Sequence, residues 1–154
     1  MIHEDAAAFA ALLPPSGALM GMDLGTKTIG VAVSDGMRQV ASPLEVIRRT
    51  KFTADAARIA ELAAGRSIAG IVLGLPRNMD GTEGPRAQST RAFARNLSRT
   101  VDLPIVLWDE RLSTVAAERA LLEADASRRK RSGVIDQVAA GYILRGLLER
   151  LRHL

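Results

Sequence analysis

The stretch ALMGMDLGTKTIGVAVS, residues 18–34, decides how this chain begins to fold. Residues 18–24 (ALMGMDL) are an apolar run that predicts a buried strand, and residues 29–34 (IGVAVS) predict a second. The connection Gly25-Thr26-Lys27-Thr28 is too short for a crossover, so the pair must be an antiparallel hairpin. Asp23 closes the first strand immediately before that turn, where backbone and hydroxyl donors lie close by. A carboxylate there either stabilises the turn or faces a cation or a phosphate at the sheet edge.

Outward from the hairpin, the turn signal Asp35-Gly36 leads to a weaker third strand between Gln39 and Ile47. Residues 53–65 follow as a helix, with Ala56, Ile59, Ala60 and Ala63 at helical spacing. The continuous apolar run over residues 68–75 predicts a strand covered on both faces. Arg77 to Gly84 (RNMDGTEG) is polar and turn-forming, and Pro85 suits the first turn of a helix running to about Arg99. Residues 104–108 (PIVLW) predict another buried strand, Ser113 or Thr114 caps a helix over 114–124, and a last helix spans 134–151. Three antiparallel strands followed by alternating helix and strand predict an α/β fold, a mixed five-stranded sheet with helices on its faces. Ligands of such sheets gather outside the carboxyl ends of the parallel strands.

In the other direction, Ala6 to Leu13 is an Ala-rich apolar run preceded by Glu4 and Asp5 and stopped by Pro14-Pro15. Acids in place of a positive region argue against a secretory signal. Residues 1–17 therefore read as an appendage outside the core, and residues 18–154 as a single domain. A length of 154 residues suits one domain with a proper core. Cysteine is absent, which removes disulfides, thiolate catalysis and cysteine-based zinc sites and suits a cytoplasmic protein. No run approaches the roughly 18 apolar residues of a membrane span, so no membrane partner is expected.

The chain carries 21 basic and 17 acidic residues, a net charge of +4, and the excess lies entirely beyond residue 60. Arginine supplies all but three of the cations, Lys27, Lys51 and Lys130. Its planar fork matches phosphate oxygens, which points to an anionic polymer, although solvated surfaces use the same residues. Arg128, Arg129, Lys130 and Arg131 form a basic run in the loop Ser127–Gly133, placed to clamp a polymer backbone. Arg91, Arg95 and Arg99 fall four apart on one helix and read as a solvated stripe.

Two more acids stand where a core does not need them. WDER, residues 108–111, puts Asp109 and Glu110 just past a buried strand. Neighbours on a strand point to opposite sides, so only one of them faces any given site. Asp136 shares a helix face with Ala139, Ala140, Ile143 and Leu147. A carboxylate on that packed face must be paired, hydrogen-bonded or bound to a cation, unless the helix dipole in a first turn accounts for it. Magnesium and manganese prefer carboxylate oxygens and water, so acids from separate elements suit such ions.

MDLGTKTIGVAVSD, GLPRNMDGTEGPRAQ, WDERLSTVAAE and VIDQVAAGYIL together resemble the motifs of the YqgF/RuvX family of ribonuclease H-like proteins. The resemblance runs from about Ala18 to Leu148 with the motifs in family order. It implies a ribonuclease H-like sheet and a metal-dependent phosphodiesterase holding Mg2+ or Mn2+. Asp23 matches the family's first-strand acid, Glu110 the glutamate of its D-E-R motif and Asp136 the acid of its final helix. Thr26, Lys27, Asn78, Asp80, Gly81 and Arg111 match further motif positions expected to line the cleft, with Arg129, Lys130 and Arg131 supplying substrate affinity. The second acid stays open, because in related nucleases it follows the fourth strand, where Asp80 and Glu83 compete with Asp109 and Glu110. The substrate implied is structured RNA, above all the 5′ end of pre-16S rRNA within pre-ribosomal particles. Branched DNA cut by a Holliday junction resolvase, monomeric or homodimeric, and a non-catalytic RNA-binding assembly factor are the alternatives. A phosphate loop of an actin-like ATPase needs two lobes, and this chain supplies one.

Overall fold

The computed structural model describes residues 1–112 and 131–154, the side chains of 131–134 excepted. The expected hairpin is present: β2 (Leu19–Leu24) and β3 (Thr28–Ser34) pair antiparallel, with Met22 opposite Val31 and Asp23 opposite Gly30. β4 (Ala41–Arg48) extends this meander antiparallel to β3. Helix α2 (Phe52–Gly65) leads to β5 (Gly70–Leu75), which returns parallel to β2. Helix α3 (Pro85–Thr100), opened by its proline, leads to β6 (Ile105–Asp109), parallel to β5. A single 3-10 turn, Glu110–Leu112, follows β6, and the chain closes with a helix, α4, from Arg131 to Arg152.

The expectation of five strands is corrected to six. Ile2–His3, here β1, adds parallel to the outer edge of β6, giving the order β1-β6-β5-β2-β3-β4. Two residues are too short a run to carry a periodic signal, so only the free edge of β6 reveals them. The short helix α1 (Ala6–Ala10), capped by Asp5, then places Phe9 in the core at 0% exposure. Arg38 fastens the segment further on, donating to the carbonyls of Gly17 at 2.8 Å and Pro14 at 2.9 Å. The segment that composition sets outside the core thus contributes to it.

Strand parity sorts the interior into two layers. Met20, Met22 and Leu24 of β2, Ile71, Leu73 and Leu75 of β5, and Ile105 and Leu107 of β6 join one cluster with α2 and α3. Leu19, Val72, Val106 and Trp108 join the other, under Ala139, Ala140, Ile143, Leu144, Leu147 and Leu148 of α4. Each buried Ile or Leu stabilises by about 1.5–3 kcal/mol. The four on α4 outweigh the several kcal/mol that a buried carboxylate on the same helix costs. This packing is what lets Asp136 stay inside.

Candidate functional site

Parity then decides where each acid points. Asp23 continues the series Leu19, Gly21 on the α4 side of β2, and Glu110 continues Val106, Trp108 on the α4 side of β6. Both are buried, Asp23 at 1% and Glu110 at 6% exposure. Met22 opposes Leu73 and Gly74 opposes Trp108, which brings Asp23, Gly74 and the end of β6 to one level of the sheet. Asp136 comes down on that level from α4, also buried at 4% exposure, and accepts a 2.6 Å hydrogen bond from the Thr28 hydroxyl of β3.

Glycines make this approach possible. A Cβ on Gly25 would collide with the Asp136 carboxylate, and one on Gly30 with the Asp136 backbone. A Cβ on Gly74 would collide with the Ile143 side chain and stand 3.0 Å from Glu110 Oε2. Gly25, Gly30 and Gly74 therefore form a floor on which the two carboxylates and the helix rest. Asp136 lies in the second turn of α4, because the helix begins three residues before the expected 134. Low propensity of Ser132 and Gly133 suggested a loop, and tertiary packing overrides it. The dipole acts within the first turn, so it does not explain this acid.

The competitors for the second position have other occupations. Asp109, on the opposite side of β6 from Glu110, accepts from Arg111 at 2.7 Å and from Arg77 at 3.4 Å. The Arg111 hydrogen bond holds its carboxyl below the usual range. Glu83 takes Arg91 at 2.6 Å and Arg77 at 3.3 Å, and its pKa is lowered chiefly by the Arg91 hydrogen bond. Asp80 is exposed and accepts the Thr82 hydroxyl at 2.6 Å, the first cause of its lowered pKa. Asn78 bonds the same Thr82 from the other side at 2.9 Å. These residues shape the loop after β5, and Arg111 ties that loop to the end of β6 through the Met79 carbonyl at 3.4 Å.

Thr26 and Lys27 are exposed at the tip of the β2–β3 turn. Two cations missed in the sequence grip that turn: Arg49 donates to the Gly25 carbonyl at 2.6 Å and Arg86 to the Leu24 carbonyl at 2.9 Å. Arg86 had a positional signal, standing beside the helix-opening Pro85, whereas Arg49 had none. Arg91 is not part of a solvated stripe. It is half-buried and bridges Glu83 and Glu4, a consequence of the N-terminal segment lying beside α3. Arg129 and Lys130 lie outside the described residues, as does the predicted helix over 114–124, and Arg131 is described only as the first residue of α4.

The donor set fits hard divalent ions: three buried carboxylates and no thiolate, with both histidines in the terminal segments, His3 in β1 and His153 beyond α4. Among the described residues, no three acidic or imidazole groups already stand at a spacing that would ligate one ion. Like charges repel when crowded, and closing the acids together requires the compensating charge of a cation.

The model of the RuvX family, described as Holliday junction resolvase, matches residues 17–150. This chain belongs to the RuvX family. Its activity class is that of a nuclease. The chain is 72% identical over 151 residues to a protein of Cereibacter sphaeroides named "putative pre-16S rRNA nuclease", covering 98% of this chain and 94% of that one. A protein of Paracoccus denitrificans with the same name is 71% identical over 154 residues, covering 100% and 98%. Among solved structures, RuvC of Thermus thermophilus bound to a Holliday junction superposes with a TM-score of 0.56 at 11% identity. It covers 88% of this chain and 96% of RuvC, and at that identity it shows a shared fold. The α/β mixed sheet with flanking helices is thereby the ribonuclease H-like one expected, with six strands in place of five.

Proposed function

We propose that this protein is a cytoplasmic, metal-dependent endonuclease that cuts phosphodiester bonds in structured RNA, processing the 5′ end of pre-16S rRNA during ribosome biogenesis. One observation carries the reading: buried Asp23, Glu110 and Asp136 come from three different elements and lie on the α4 side, at the carboxyl ends of the parallel strands. That is where ligands of such sheets bind. The names of the relatives at 72% and 71% identity favour pre-16S rRNA as the substrate.

Asp23, Glu110 and Asp136 would hold Mg2+ or Mn2+. Such ions supply activation of the attacking water and stabilisation of the leaving oxygen. Thr28 fixes the Asp136 carboxylate by donating its hydroxyl to one carboxylate oxygen. Arg49 and Arg86 hold the β2–β3 turn against β2, so Thr26 and Lys27 meet substrate phosphate from a fixed platform. Arg111, backed by Asp109, orients the loop carrying Asn78 and Asp80 beside the substrate. Arg129, Lys130 and Arg131 add sequence-independent affinity for the backbone.

The test is cleavage of precursor 16S rRNA and of a four-way DNA junction, with Mg2+, with Mn2+ and with chelator, by the native chain and Asp23→Asn. Metal-dependent cutting of the RNA that the substitution abolishes is the expected result. An Asp23→Asn protein that cuts as fast as the native chain ends the three-acid reading. The family's description as Holliday junction resolvase supports a second reading, and preferential cutting of the junction would establish it.

A further inference from the structure

The chain has one tryptophan and one tyrosine, and both line the same cavity. This cavity of about 520 Å³ runs along α4 from Arg111, next to Glu110, towards His153. Small-ligand sites occupy about 300–1,000 Å³. Arg145 and Arg150 are exposed on its wall, and Glu149 is the acid among its described lining residues. The Arg145 guanidinium lies over the Tyr142 ring, 4.9 Å from its centroid. Trp108 forms the floor at 8% exposure, and its buried Nε1 has no hydrogen-bond partner among the described residues. The floor stays open to Trp108 because residue 146 is glycine: a Cβ there would stand 3.0 Å from the indole.

A site that pairs planar side chains with arginine forks is chemically matched to a nucleotide. Aromatic rings and guanidinium planes stack bases, and the forks bond phosphate. A positively charged groove with stacking platforms is the usual way to hold single strands without reading sequence. We propose that this cavity holds a single-stranded flank of the nucleic acid being cut, one base stacked against the Tyr142–Arg145 pair and its phosphate on Arg150. The proposal rests on the nuclease reading, because the cavity starts at Arg111, beside Glu110. It makes substrates with an unpaired extension bind better than fully paired ones.

Trp108 reports on its own cavity, since no other tryptophan contributes fluorescence. Full-length Asp23→Asn protein is titrated with an oligouridylate and, separately, an oligothymidylate, which tells an RNA flank from a DNA flank. Saturable, salt-sensitive quenching is expected. Losing one stacked base costs about fivefold to a hundredfold in affinity, so Tyr142→Ala should weaken binding at least fivefold while Tyr142→Phe stays within twofold. Arg145→Gln, on an exposed side chain, should weaken it at least threefold and serves if the alanine variant does not fold. Unchanged fluorescence at saturation, or Arg145→Gln binding within twofold of the parent, overturns the proposal. A native chain that cuts neither RNA nor junction while quenching keeps its Tyr142 dependence instead defeats the cleavage reading and leaves the groove standing.

Discussion

Asp109 and Glu110 are chain neighbours with opposite surroundings. Asp109 faces a network of arginines in which Arg111 and Arg77 bond its carboxylate, and Arg77 goes on to Glu83 and Glu4, which share Arg91. Glu110 faces α4, buried beside Gly74 on the level of Asp23. One side of the sheet end compensates its acids with fixed cations and so builds rigid structure. On the other, Asp136 and Glu110 rest against Gly25 and Gly74, where a Cβ would meet their carboxylates. A one-residue step in a strand separates the two roles, because side chains alternate.

Exchanging the two neighbours is the sharpest way to break this contrast. Glu110→Gln should lower metal-dependent cleavage on the order of 10²–10³-fold, as loss of one transition-state stabiliser does, whereas Asp109→Asn should cost less than about tenfold. Initial cleavage rates at saturating Mg2+ check this, and the reverse order would move the site to the arginine side.

The glycine floor makes the next largest claim. Gly30→Ala would push a Cβ into the backbone of Asp136, so α4 must lift, at about 3 kcal/mol as for a severe overpacking. Gly25→Ala meets the Asp136 carboxylate and, at 2.9 Å, the Thr28 carbonyl of its own turn, but no backbone of α4, and should depress activity more than stability. Chemical denaturation midpoints beside cleavage rates separate the two. Equal loss of stability in both variants would show that the floor supports the helix without positioning the acid.

Thr28→Val removes the hydroxyl that Asp136 accepts. A tenfold or smaller loss of cleavage, with the metal concentration for half-maximal rate raised, is the expected outcome. An unchanged metal dependence would separate Asp136 from the ions.

The arginine network supports the smallest prediction. The pKa values of Glu4 and Glu83 lie below their ordinary 4.5, each held down first by its hydrogen bond to Arg91. Carboxylates with depressed pKa stabilise the folded state above their unfolded pKa, and that stabilisation is lost as pH falls through the depressed values. Arg91→Gln should therefore lower Tm by no more than about 2–4 °C at neutral pH and flatten the fall in Tm on acidification below about pH 5. Thermal scans across that range read both effects.

Much of this was legible in one dimension. The apolar runs around Asp23, at residues 68–75 and at 104–108, set three strands, because a strand covered on both faces has few other compositions. Asp136 announced itself by sharing a periodic apolar face, and a buried carboxylate demands a reason. The relation of Asp109 to Glu110 was visible only as an alternative, since parity gives opposite faces without saying which face carries the helix. Thr28 was hidden by its position in an evident turn, and its partner lies 108 residues away. The glycines at 25, 30 and 74 look like turn or strand punctuation until a helix is laid across them.

Between residues 18 and 109 the sequence alone determined the element types and their order, and it set the chemistry available: oxygen ligands for hard ions, arginine for phosphate, and no thiolate. Local periodicity and composition suffice for these, because burial of an apolar face governs each element separately. Only the tertiary structure decided that Ile2–His3 completes the sheet, that Phe9 belongs to the core, and that Arg91 binds Glu4 and Glu83. It alone brought Asp136 down beside Gly25, two residues past Asp23. Those facts depend on which surfaces remain unpaired once the strands have assembled, a property of the whole sheet that no single segment carries.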